Sequence, residues 1–244
     1  MKNQLLMMNY ILLIFTIFAL VSCHQRSDDR SGEVSVRIVL QASLEERREE
    51  LQRDVNNARE NIRDFSEKYG WEEMTREEFM DSVMIFDTKD LFDKTLLTLA
   101  EVDTSINLPE TYCGALEKRT LIAMSPDYYS AVYPEGIEDK SYEKLLTHEI
   151  AHRLHVRVLQ GDEEAMGPVW FYEGFAIYAA NQFSGADTIL SKEEMIELMK
   201  NPDRGSYLKY NFIFRYFLQR ISLKELIAKA KNEDFNDGLI LLMD

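Results

Sequence analysis

Along the chain, apolar positions recur first at the period of a strand and then at the period of a helix. Between Glu33 and Gln41 the apolar residues Val34, Val36, Ile38 and Leu40 fall on every second position, the mark of a half-buried strand. Ser43, with Glu46 three residues on, has the form of a capping box and predicts a helix start. In the helix that follows, Leu51, Val55, Ala58, Ile62 and Phe65 recur at steps of four and three, while Glu, Arg and Asp crowd the other face. Gly70 is its expected stop. Ser82 to Phe86 and Thr120 to Met124 are apolar runs of strand length, and Asp90 to Val102 reads as a helix between them. From Ser141 onward the pattern is almost wholly helical, with helices over about 141–160, 168–184, 191–200, 206–221 and 223–231. Strands and helices first, then helices alone, predict one compact α+β domain over residues 33–244.

Composition narrows the partners more than the fold. Apolar residues make up 45% of the 244, which is globular, and 10 Gly with 5 Pro are too few for a large turn-rich β-sandwich. The chain carries 43 acidic and 28 basic residues, for a formal charge of −15. Nucleic acid is therefore not an expected partner, because phosphate binding needs a surplus of Lys and Arg. An anionic lipid surface is disfavoured on the same ground.

The first residues read as a targeting segment. Lys2 is the only charge before Arg26, and Leu5 to Val21 is almost entirely apolar. The run ends in Leu20-Val21-Ser22-Cys23, which resembles the lipobox of bacterial lipoproteins. That resemblance implies a signal peptide over 1–22, a lipid on Cys23, a polar tether over 23–32, and residence in the bacterial cell envelope outside the cytoplasm. The alternative is an uncleaved anchor, since the run is about long enough to span a bilayer. With Cys23 acylated, Cys113 is the only remaining thiol, so no intrachain disulfide is expected. Nothing near Cys113 has the context of a nucleophile, and it reads as a buried, idle thiol.

His148-Glu149-Ile150-Ala151-His152 carries the chemistry. Residues four apart on a helix point the same way, so His148 and His152 offer two imidazoles to one ion. Glu149 lies about a quarter-turn round, beside the ion, where a carboxylate can take a proton from water. Leu145, Leu146 and Ala151 supply an apolar face to bury the helix. A third candidate ligand follows Gly167-Pro168, in Trp170-Phe171-Tyr172-Glu173-Gly174-Phe175-Ala176. Glu173 is a carboxylate in a very apolar stretch, where burial demands a counter-charge, and a zinc ion on two His would supply it. Gly174 inside a helix costs about 1 kcal/mol against Ala, which predicts close approach by a neighbouring element. His155 could add a fourth ligand; the simpler expectation is a solvated or helix-capping side chain, because catalytic zinc keeps one position for water.

His-Glu-x-x-His followed by Trp-Phe-x-Glu-Gly-Phe-Ala resembles the gluzincin metallopeptidases, and their aminopeptidase type in particular. The resemblance implies one zinc ion on His148, His152 and Glu173, with Glu149 as general base and acid. Tyr207-Leu-Lys-Tyr-Asn-Phe-Ile-Phe-Arg-Tyr-Phe217 is similar to a later helix of that family, whose leading Tyr donates to the oxyanion. Carried over, the donor is Tyr207, with Tyr210 as the runner-up. The resemblance covers roughly 118–220. The segment that grips a free amine in that family is absent; Leu121 to Pro126 stands in its place and is expected to be an edge strand able to receive a peptide. The implied activity is hydrolysis of peptide bonds in a peptide or protein substrate. The alternative is a silent zinc-containing lipoprotein that binds a peptide or protein partner.

Overall fold

The structure is a computed structural model and describes residues 36–243. The apolar leader, Cys23, the tether and Val34 lie outside the described residues. Four strands form one sheet: β1 (Arg37–Leu40), β2 (Ser82–Phe86), β3 (Gly114–Glu117) and β4 (Thr120–Met124), in the spatial order β1-β2-β4-β3. β1, β2 and β4 run parallel, and β3 returns antiparallel on β4. Parallel neighbours need a crossover. The first contains α1 (Arg48–Tyr69) and the second α2 (Lys89–Leu99). After β4 in the chain come α3 (Pro126–Val132), α4 (Ser141–Val158), α5 (Val169–Ala179), α6 (Lys192–Lys200), α7 (Tyr207–Leu218), α8 (Leu223–Lys229) and α9 (Phe235–Ile240). The mixed helix-and-strand class is the one expected.

The apolar stripe of α1 is buried at Leu51, Val55, Ala58, Ile62 and Phe65, and the helix ends at Gly70 in a left-handed conformation, φ 69°. The expected cap at Ser43 is not formed. A 3-10 turn over Ala42–Arg47 leads into the helix without a side-chain cap, and the Ser43 hydroxyl instead binds Asp87, just past the end of β2. Donating to that carboxylate turns the hydroxyl toward the end of β2 and away from the helix amides. The strand expected to lie on an edge, β4, is interior; the edge is β3, which sequence reading missed. Met124 N–H donates to Cys113 O at 2.8 Å, so the ladder alternation turns the backbone groups of Gly114 and Leu116 away from β4. Arg153 on α4 donates to Leu116 O at 3.1 Å. At the opposite edge Arg48 donates to Ile38 O at 3.3 Å. Among the described residues, no helix is long and apolar enough to cross a membrane.

α4 packs between α1 and α5, and α5 crosses α7. The crossing is as close as Gly174 foretold: a Cβ there would stand 2.7 Å from Phe214 Cδ2 and 3.0 Å from Phe214 Cβ. Phe214 is fully buried and Gly174 is buried against it, so the clash has nowhere to go. Overpacking costs about 1–3 kcal/mol, more than the roughly 1 kcal/mol alanine gains over glycine in a helix. Gly174→Ala is therefore expected to lower the midpoint of urea unfolding. An unchanged or higher midpoint would contradict this packing.

Candidate metal centre

Two helices that abut deliver the three expected ligands. α4 carries His148 and His152 one turn apart, and α5 carries Glu173. His148 Nε2 lies 3.1 Å from His152 Nε2 and 3.2 Å from Glu173 Oε2, and His152 Nε2 lies 3.6 Å from the same oxygen. One atom from each residue thus converges on a common point, a group that could hold a metal ion. Glu173 is fully buried and His148 is 2% exposed, whereas the His152 side chain is 23% exposed and opens the site to a cleft. His155, although on the same helix, is not in the group.

Charge at this point is set by its neighbours. Burial alone would raise the Glu173 pKa, but Arg204 and the two imidazoles outweigh it and hold the carboxyl well below its ordinary value. Burial works against a charge on His148, yet Glu173 and Glu149 prevail and its pKa lies above the ordinary value. The pocket therefore favours a positive charge between the imidazoles, proton or metal ion alike. His148 Nδ1 meets Gln182 Oε1 at 2.9 Å. An amide oxygen only accepts, so Nδ1 carries the proton and Nε2 turns a lone pair to the site. Gln182 reaches it because α5 stops at Ala179, short of the expected end. Asn181 and Phe183, at φ 52° and 53°, then bend the chain on either side of Gln182. A left-handed Phe is costly and persists only where its surroundings enforce it.

The remaining carboxylate oxygen has a partner that sequence reading missed. Arg204 Nη2 stands 2.9 Å from Glu173 Oε1. The counter-charge assigned to an ion alone is thus shared: Oε2 faces the imidazoles and Oε1 faces a guanidinium. Arg204 sits in the loop before α7, with no periodic pattern to announce it.

Glu149 is half-buried on the cleft wall, its carboxylate against the backbone of Gly114. A Cβ at Gly114 would lie 2.8 Å from Glu149 Oε1, so the edge strand must carry glycine here for the carboxylate to keep its place. Tyr207, the first residue of α7, stacks on His148 with ring centroids 5.4 Å apart and planes 18° from parallel. Burial and the Glu173 carboxylate raise its phenol well above the ordinary value, so it remains a protonated donor. Tyr210 is used elsewhere. Its hydroxyl accepts from Gly205 N–H at 2.7 Å and donates to Asp203 O at 3.2 Å, pinning the loop that holds Arg204. The cleft over these residues has a volume of about 210 Å³ and is walled by Tyr112, Tyr129, Tyr133 and Tyr207. Cys113 lies in the same wall, 3% exposed, with its thiol pushed up to about 12 by burial. That keeps it protonated, as an idle thiol would be.

His155 corrects the expectation of a solvated or capping side chain. It is fully buried, stacked on Phe175 at 4.4 Å and edge-on to Phe171, with neither ring nitrogen hydrogen-bonded. The reason is that α5 brings two Phe onto that face of α4. Burial, and then His152, lower its pKa from 6.5 to about 3. The unfolded chain therefore binds this proton before the folded one does. Stability from this group is complete above about pH 6.5 and is lost as pH falls toward 3. His155→Leu is expected to stabilise the protein at pH 5, by about 1–3 kcal/mol through removal of unpaired polar atoms, and to flatten that part of the acid limb. Parallel stability–pH curves for the two proteins would refute the assignment.

Compared with known protein families, curated proteins and solved structures, the chain matches none.

Proposed function

We propose that this protein is a zinc-dependent peptidase of gluzincin type, tethered through lipid on Cys23 to the bacterial cell envelope outside the cytoplasm. The observation that carries the reading is the convergence of His148 Nε2, His152 Nε2 and Glu173 Oε2, 3.1–3.6 Å apart. An ion with tetrahedral bonds of about 2.0–2.1 Å sets its ligands about 3.3–3.4 Å apart. Three lone pairs at that spacing repel one another until a cation lies among them. His₂Glu is also a donor set of catalytic zinc, which leaves a position for substrate.

His148, His152 and Glu173 would hold the ion. When bound, it supplies Lewis-acid polarisation of the scissile carbonyl and eases ionisation of water. Glu149 takes the proton of the attacking water and returns it to the leaving nitrogen. Tyr207, kept protonated, donates to the carbonyl oxygen as charge develops there. Gly114 turns an unpaired N–H and C=O toward the cleft beside Glu149, so an extended substrate pairs with β3, not β4. Because Arg153 occupies Leu116 O, that pairing is short.

The test is metal content and its thermal consequence. Gently purified protein is expected to hold one zinc per chain, and chelation to lower Tm reversibly. Zinc at about a thousand times its Kd would contribute about 4 kcal/mol. Arg204 favours a second reading, since it balances Glu173 without any ion and suits a metal-free binding module. Substoichiometric metal with a Tm indifferent to chelator and to added zinc would establish that reading and exclude the peptidase.

A further inference from the structure

We propose that Arg204 anchors a carboxylate of the substrate beside the scissile bond, and that the cleft selects peptides bearing a free C-terminal carboxylate or an acidic side chain there. This deepens the peptidase reading and rests on it. Among the described residues lining the cleft, Arg204 is the only lysine or arginine, on a chain whose formal charge is −15. A lone cation there calls for a use. Its side chain is 43% exposed; Nη2 meets Glu173, and Tyr172 takes a further hydrogen bond from the guanidinium. The guanidinium has five N–H donors in a planar fork, so donors remain for a carboxylate in the cleft.

The loop is built to hold this group in place. Tyr210, buried in the core, ties the residues on both sides of Arg204, Asp203 through its carbonyl and Gly205 through its amide. The Tyr112 ring lies 5.6 Å from the guanidinium and limits its swing. Charge bookkeeping completes the case. With no metal, Glu173 and Arg204 neutralise each other. With a divalent cation on Glu173 and two neutral imidazoles, that carboxylate's charge is already spent, and Arg204 faces the cleft uncompensated. An anion is the ligand that restores balance.

The experiment uses the full chain loaded with zinc and two hydroxamate probes that differ only at one end. Each joins a hydroxamate to a single phenylalanine residue, ending in a free carboxylate or in the carboxamide. Calorimetry is expected to show the acid bound about tenfold or more tighter than the amide, as a charge-assisted bidentate contact requires. In Arg204→Gln the preference is expected to vanish while the amide binds as before, and Arg204→Lys should restore part of it. Tyr210→Phe, which keeps the ring but frees the loop, should weaken the preference and leave zinc content unchanged. Zinc-loaded protein that binds both probes equally overturns this inference and leaves the peptidase reading standing. Protein that holds no zinc and binds neither probe overturns both.

Discussion

Glu149→Gln is expected to slow peptide hydrolysis by about 10²–10⁴-fold, the range a general base contributes, with one zinc still bound. The two effects separate because Glu149 is not one of the converging ligand atoms. Its carboxylate lies on the cleft wall against Gly114, and glutamine has the same shape and keeps that contact. Proton transfer is what the amide cannot do. KM should change little, since the proposed substrate contacts are the tyrosine walls, β3 and Arg204. The measurement is kcat on a broad peptide panel with zinc content determined in parallel. A wild type no faster than Glu149→Gln on every peptide removes the hydrolytic assignment.

Glu173→Ala is the second large effect. Two imidazoles alone hold zinc poorly, so stoichiometric binding should be lost, and activity with it. Stability without metal should fall only modestly, by about 1 kcal/mol. Truncating one partner of a buried pair costs about 3–5 kcal/mol when the other charge is trapped, but the Arg204 side chain is 43% exposed and can turn to water. Dialysis against zinc and urea unfolding of the metal-free proteins measure both terms. Retained stoichiometric zinc in Glu173→Ala would place the metal elsewhere.

Local periodicity carries what sequence reading recovered, and long-range contacts carry what it missed. His148, Glu149 and His152 are legible because helix geometry alone sets the two His on one face and Glu149 a quarter-turn round beside them. Glu173 followed from its apolar setting, and Gly174 from the cost of glycine in a helix. β3 has four residues and no alternation, and exists only through its pairing with β4. α3 and α9 went unread: each buries too few apolar residues to set a period, whereas α8, no longer than α3, buries Leu223, Leu226 and Ile227 at helical spacing. Gln182 and Arg204 lie in loops, aimed by left-handed residues and by the hydroxyl of Tyr210 from the first turns of α7. His155 had a usable signal: it continues the face of His148 and His152, and Phe171 and Phe175 sit four apart to meet it. The burial argument for an ion overlooked that a loop arginine also reaches a buried carboxylate.

The two arginines at the borders of the sheet bear on how copies of the protein tolerate one another. Exposed strand borders invite neighbouring chains to zip on and seed fibrils. Arg48 and Arg153 each occupy an outward carbonyl, on Ile38 and Leu116, and plant a hydrated cation where an intruding strand would dock. Copies of this domain at high concentration are thereby kept from adding to one another strand by strand.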